Sequence, residues 1–250
     1  NGADFYQVLD MLEDRLGSHF VPVQLPIGTG ETFTGLIDLI DMHSVTYEET
    51  SLGAEFHIGE IPEDLMEKAL QFREKLLESV AEFDDHLLEK FLEGGEIAPE
   101  EIVAALRLAT CALKAVPVTC GSAFKHKGVQ RLLDAVVRFL PAPSDVAAVI
   151  GHKPNSEEQV ERQPVDEAPF SALAFKIMTD PFVGRLSFIR VYSGSLTAGS
   201  YIYNVSTGKR ERVSRLLEMH ANDRTELKEA NAGDIVAVVG LKETTTGDTI

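Results

Sequence analysis

Val116-Pro117-Val118-Thr119-Cys120-Gly121-Ser122-Ala123-Phe124-Lys125-His126-Lys127-Gly128-Val129-Gln130 is the stretch that decides the fold. Val116 to Cys120 reads as a short buried strand, and Gly121-Ser122-Ala123 as its exit loop. Gly128 to Leu140 reads as a helix that turns Val129, Leu132, Leu133, Val136 and Leu140 inward, and Pro141 and Pro143 stop it. Strand, loop and helix in that order make the closing unit of an α/β domain. A loop at the carboxyl end of a parallel strand is also where such folds bind nucleotides.

Upstream, Ala3 to Leu16 reads as a helix, with Phe5, Val8, Leu9, Leu12 and Leu16 at helical spacing and Gly17 as its stop. Val21, Val23, Leu25 and Ile27 alternate as a strand does, and Phe33–Ile40 and His43–Tyr47 read as two more strands. Pro62 opens the longest helical stretch. Leu65, Ala69, Phe72, Leu76, Val80, Phe83, Leu87 and Phe91 give it one apolar stripe, which suits either one helix or two with a break near Asp84. A further helix starts at Pro99 and runs to about Lys114. Downstream, residues 141–167 are rich in Pro, Glu and Gln and read as a linker. From Pro169 short alternating strands take over: Ser171–Ile177, Gly184–Tyr192, Ser200–Asn204, Glu211–Glu218 and Asp234–Val239. Regular short strands with turn residues between them predict a small antiparallel β-barrel.

The expected organisation is therefore an α/β part over residues 1–140, a linker over 141–167 and an all-β part over 168–250. At 250 residues the chain is long for one core, so two domains are expected. No apolar run approaches the ~18 residues of a membrane span. Cys111 and Cys120 are the only cysteines, too few for a disulfide framework or a metal cage, as in a cytoplasmic protein. Residues 1–164 carry 13 Lys/Arg against 29 Asp/Glu, a net of −16, and residues 165–250 carry a net of −1. The first part thus shows the reverse of a nucleic-acid footprint, and a partner for it would be basic.

The chain contains no Gly-x-x-x-x-Gly-Lys-Ser/Thr, whose Lys and hydroxyl serve phosphate and magnesium. Its one Gly-Lys pair, Gly208-Lys209, sits in a β-turn context. No Asn-Lys-x-Asp, no Ser/His/Asp set and no metal-ligand spacing among the seven histidines is present. Glu78, Glu82, Asp85 and Glu89 fall at i, i+4, i+7 and i+11 of the long helical stretch, on one face opposite the apolar stripe. An ordinary solvated face explains them, and so does a docking stripe for a basic partner.

The run Cys120–Gln130 resembles the last guanine-recognition motif of elongation factor G and the helix after it. Gly2-Ala3-Asp4-Phe5 is similar to the segment that follows that family's Asn-Lys-Met-Asp. Pro22-Val23-Gln24-Leu25-Pro26-Ile27-Gly28 and Phe33–Leu39 resemble the subdomain the family inserts into its GTPase domain, here about residues 20–115. Pro169–Ile177, Thr179-Asp180-Pro181-Phe182-Val183-Gly184, Met219-His220-Ala221-Asn222 and Ala232-Gly233-Asp234-Ile235 look like its second domain.

The resemblance implies a translational GTPase that moves tRNA and mRNA through the ribosome. The fold it implies is an α/β remnant of a P-loop GTPase domain with an α+β insert, followed by an all-β translation-factor barrel. Ser122 and Ala123 would recognise guanine, and the intact parent would bind GTP or GDP with magnesium. The P-loop, both switches, the catalytic His and Asn-Lys-x-Asp would lie before Asn1. The chain itself is therefore expected to be a cytoplasmic, monomeric, non-catalytic ribosome-binding module that holds no cofactor. It would meet tRNA and mRNA only indirectly. Glu78, Glu82, Asp85 and Glu89 would meet the lysine-rich ribosomal stalk protein. Arg185, Lys209, Arg210, Arg212 and Arg215 would lie near small-subunit rRNA. A ribosomal protection protein or a release-factor GTPase is the alternative within the class.

Overall fold

The computed structural model describes residues 2–250 apart from Asn155, Phe182 and Asn222. It divides into two compact units, one ending at Pro141 and the other running from Ala142 to Ile250.

The first unit opens with α1 (Phe5–Leu16). Asp4 caps it by accepting from the Tyr6 and Gln7 amides, and Gly17 ends it in the left-handed conformation that glycine adopts without a steric cost. β1 (Phe20–Pro22) follows, then β2 (Gln24–Ile27), β3 (Gly35–Asp38), β4 (His43–Tyr47) and β5 (Phe56–Gly59). β2 to β5 form a consecutive antiparallel sheet. β5 was not legible in the sequence, because this edge strand has no fully buried residue and hence no alternation. Three helices come next, α2 (Glu63–Ala81), α3 (Asp85–Leu92) and α4 (Pro99–Cys111). β6 (Val116–Val118) then pairs in parallel with β1, and α5 (Val129–Phe139) closes the unit. One apolar core joins Val21, Leu25 and Ile37 of the strands, and Val23 and Leu39 beside them, to Leu76, Val80, Leu87, Ile102 and Leu106 of the helices.

The long helical stretch does break near Asp84. That residue adopts an extended backbone and caps α3 through the His86 and Leu87 amides. The buried stripe Leu76, Val80 and Leu87 continues across the break. The expectation for α5 needs correction, because its apolar side is not inward. Val129, Leu132, Leu133, Val136 and Leu140 are exposed, and Phe139 is the helix's buried residue. A parallel sheet of two short strands offers too little surface to cover a helix that amphipathic. Val8 and Leu16 of α1 are exposed as well.

The second unit begins with a hairpin of β7 (Val149–His152) and β8 (Gln159–Arg162), inside the segment expected to be a linker. β9 (Ser171–Asp180) and β10 (Gly184–Ser193) form the longest pairing. β11 (Leu196–Thr197), β12 (Tyr201–Asn204), β13 (Lys209–Arg212), β14 (Arg215–His220), β15 (Asp223–Leu227), β16 (Glu229–Ala230) and β17 (Ile235–Val239) complete it. A five-stranded antiparallel sheet runs β15-β14-β17-β10-β9, and β11-β16 and β12-β13 are separate two-stranded ribbons. The strand expected over Glu211–Glu218 is two strands. At Val213-Ser214 the chain passes from the β12-β13 ribbon to the large sheet. Val213 is hydrogen-bonded there through its carbonyl to the Gly199 amide and through its amide to the Ser200 carbonyl. Sheet and ribbons wrap one core of Ala174, Ile189, Val191, Ile202, Val213, Leu216 and Val238. The described strands thus enclose a core without forming a single closed ladder.

Candidate functional site

The turn after β6 is built by its glycines. A Cβ on Gly121 would lie 2.8 Å from the Lys127 carbonyl oxygen, and one on Gly128 would lie 2.9 Å from that of Cys120. Gly128 also has φ +89, so the two ends of the turn can close on each other only as glycines. The Ser122 amide donates to the Lys127 carbonyl at 2.8 Å, and the Lys127 amide donates back at 3.0 Å. Inside this bridge the Lys125 amide donates to Ser122 O and the His126 amide to Ala123 O.

Among the described residues the Ala123 and Phe124 amides have no acceptor. Both residues are exposed, and Phe124 is 95% accessible. Beside the turn lies a cavity of about 360 Å³ lined by Ala3, Phe5, Pro26, Phe33, Cys120 and Ser122, among others. Burial pushes the Cys120 thiol up to about 12, so it is a protonated wall group and no nucleophile. The arrangement offers outward backbone donors, a free aromatic face and a largely apolar hollow.

The turn is fastened to the β2–β3 and β4–β5 loops and to β2 itself by side chains whose anchoring role has no signal in the sequence. Lys125 Nζ donates to the Gly30 and Glu31 carbonyls, and Lys127 Nζ donates to the Phe33 carbonyl. Gln130 Nε2 donates to Gly53 O, and Gln24 Oε1 accepts from the Cys120 amide. Lysines beside a turn glycine carry no pattern that distinguishes a buried anchor from a solvated charge.

Of the acidic set, Glu78 and Glu82 line a second cavity, of about 570 Å³, together with Asp10 and Glu13 of α1. Asp85 and Glu89 sit on α3, beyond the break, so the four do not share one helical face. Glu78, Glu82, Asp85 and Glu89 are all exposed. Of the basic set, Arg210 and Arg212 point outward from β13, opposite Tyr203 and Tyr201 of β12. The Arg210 guanidinium lies 5.2 Å from the Tyr201 ring centroid. Lys209 is paired with Glu243 at 3.2 Å. Arg185 binds the Lys242 and Thr244 carbonyls, and Arg215 is half-buried on β14. The set is therefore divided between an open face and a loop anchor. Gly208, with φ +69, ends the β12–β13 turn, and Lys209 is the first residue of β13. Phe182 and Asn222, part of two motifs quoted above, lie outside the described residues.

A mixed α/β unit followed by a strand-rich unit around one core is an architecture of translation factors. Residues 169–250 match the family model of elongation factor G domain 2. A crystal structure of a protein from Thermus thermophilus superposes with a TM-score of 0.76 at 30% sequence identity. The match covers 99% of this chain and 34% of that one, so the chain spans about a third of its length. Residues 169–250 thus belong to the elongation factor G domain 2 family, and the whole chain is similar to that Thermus thermophilus protein. No helix among the described residues is long and apolar enough to cross a membrane.

Proposed function

We propose that the first unit carries the guanine-recognition turn of a GTP-driven ribosomal translocase, and that the second docks on small-subunit rRNA in the cytoplasm. The observation that carries the reading is the unpaired Ala123 amide on a tight turn at the carboxyl end of a parallel strand. An N–H placed there can donate to guanine O6. Adenine presents an amino group at the same position, and two donors cannot pair. Ser122 and Ala123 fit the base end of GTP or GDP. No residue pattern of this chain fits the phosphates or magnesium, so the chain would recognise guanine without hydrolysing the nucleotide.

Two hydrogen bonds of roughly 0.5–1.5 kcal/mol each support only weak binding. Amide NMR of the chain titrated with GDP should show saturable shifts at Ser122–Lys125, with a Kd no tighter than about 1 mM, near −4 kcal/mol. ADP at the same concentrations should leave these amides in place. Micromolar affinity, or an equal response to ADP, overturns the reading. The Arg210, Arg212, Tyr201 and Tyr203 face supports the rRNA role, since phosphate-neutralising guanidinium groups and stackable rings occur together there. Glu78 and Glu82, with Asp10 and Glu13, support contact with a basic partner such as the stalk protein.

A further inference from the structure

Lys127 is 3% exposed. A buried ammonium is retained only where its hydrogen bonds replace water. Its Nζ lies 3.1 Å from the Phe33 carbonyl and 3.5 Å from Glu49 Oε1, both in the insert. Its backbone, at the same time, closes the 122–127 turn through both hydrogen bonds with Ser122. One residue therefore joins the geometry of the turn to the position of the insert. Lys125 repeats the link at Gly30 O (3.1 Å) and Glu31 O (2.9 Å), and Gln130 at Gly53 O (2.7 Å). The fit at Gly53 is tight as well: a Cβ there would stand 2.1 Å from the His126 carbonyl oxygen. The carbonyls that receive Lys125 and Lys127 belong to the short 30–33 segment between β2 and β3. That segment is held by Thr32, whose hydroxyl accepts from the Thr29 amide and donates to the Thr29 carbonyl.

We propose that Lys127, assisted by Lys125, is a positioning residue through which the insert sets the shape of the 122–126 turn. Binding at the insert and binding of a base at the turn are then energetically coupled, each altering the other by the same factor. The coupling rests on the guanine reading for its ligand, but the mechanical link is observable without nucleotide.

The test uses Lys127→Met and Thr32→Val in the chain. The Thr32 hydroxyl bonds to Thr29 and not to the turn, so its effect travels through the 30–33 carbonyls. The Ala123 amide resonance of the nucleotide-free protein should move in both variants, and the GDP Kd should rise at least threefold. Leu36 and Val45, in the core of the insert sheet, report that the fold is intact. If Lys127→Met does not fold, Thr32→Val and Lys125→Met decide, and Lys125→Arg should restore the wild-type resonance position. An unmoved Ala123 resonance in folded Thr32→Val overturns the coupling. Absence of any GDP response in the wild type would instead overturn the guanine reading, leaving the coupling to be judged on the nucleotide-free spectra.

Discussion

At the scale of single residues, Glu211 and Cys120 make opposite use of burial. Burial pushes the Glu211 carboxyl upward, but hydrogen bonds from the Thr244 hydroxyl and the Glu243, Lys242 and Thr244 amides together hold it below its ordinary value. Asp248 is held low by the Thr245 amide and the Asn204 side chain against a smaller burial penalty. Groups with depressed folded pKa values stabilise the protein above the unfolded carboxylate range, and the contribution disappears as pH falls through the folded value. Glu211→Gln should therefore cost about 2 kcal/mol at pH 7, the scale of a hydrogen-bonded buried charge. The cost should vanish under acid conditions, as urea titrations of the second unit at both pH values would reveal. No such loss at pH 7 would show the carboxylate to be dispensable. For Cys120, a thiol near 12 has about a thousandfold less thiolate at pH 8 than one at its ordinary 9.0. Alkylation of Cys120 in the folded chain should be slower than that of an exposed cysteine by at least about a hundredfold, measured by peptide mass spectrometry. A rate equal to that of the urea-unfolded chain contradicts the burial.

At the scale of elements, the two sides of α5 should respond differently. Phe139 lies in the main core, so Phe139→Ala should cost roughly 3–5 kcal/mol. Leu133 and Val137 are 60% and 79% exposed, so their replacement by Gln should change stability by less than about 0.5 kcal/mol while raising solubility. The β12–β13 ribbon divides in the same way. Arg210→Glu with Arg212→Glu should weaken binding to small-subunit rRNA at low salt and lower the salt slope by about 2. Arg185→Gln should instead loosen the 242–244 segment its guanidinium holds. Equal rRNA affinity for the double variant removes the ribbon from the proposed interface. For α2, Glu78→Lys with Glu82→Lys should slow encounter with a lysine-rich partner, most at low ionic strength, as stopped-flow association would measure.

At the scale of the molecule, the chain divides into two compact units, and its acid-sensitive network belongs to the second. Scanning calorimetry should resolve two transitions, and the one assigned to residues 142–250 should fall more steeply as pH is lowered. The strand–turn–helix 116–140, α1 with its Gly17 stop and most strands of the second unit were legible in the sequence. Their signals are local: alternation, helical spacing and Gly at turns. What the sequence could not reveal depended on partners distant along the chain. The parting of Glu78 and Glu82 from Asp85 and Glu89 was hidden, because the buried stripe runs on through the break at Asp84. β15, a charged edge strand, has no buried face to alternate. The exposure of α5 depends on how much sheet lies beneath it. The anchoring of the 122–127 turn by Lys125 and Lys127 joins residues 94 or 95 positions apart. By itself the sequence determined which backbone conformations each segment prefers, because those preferences are set by neighbours within a few residues. The tertiary structure alone decided which faces were covered and which charges were anchored, because burial is a property of the assembled chain.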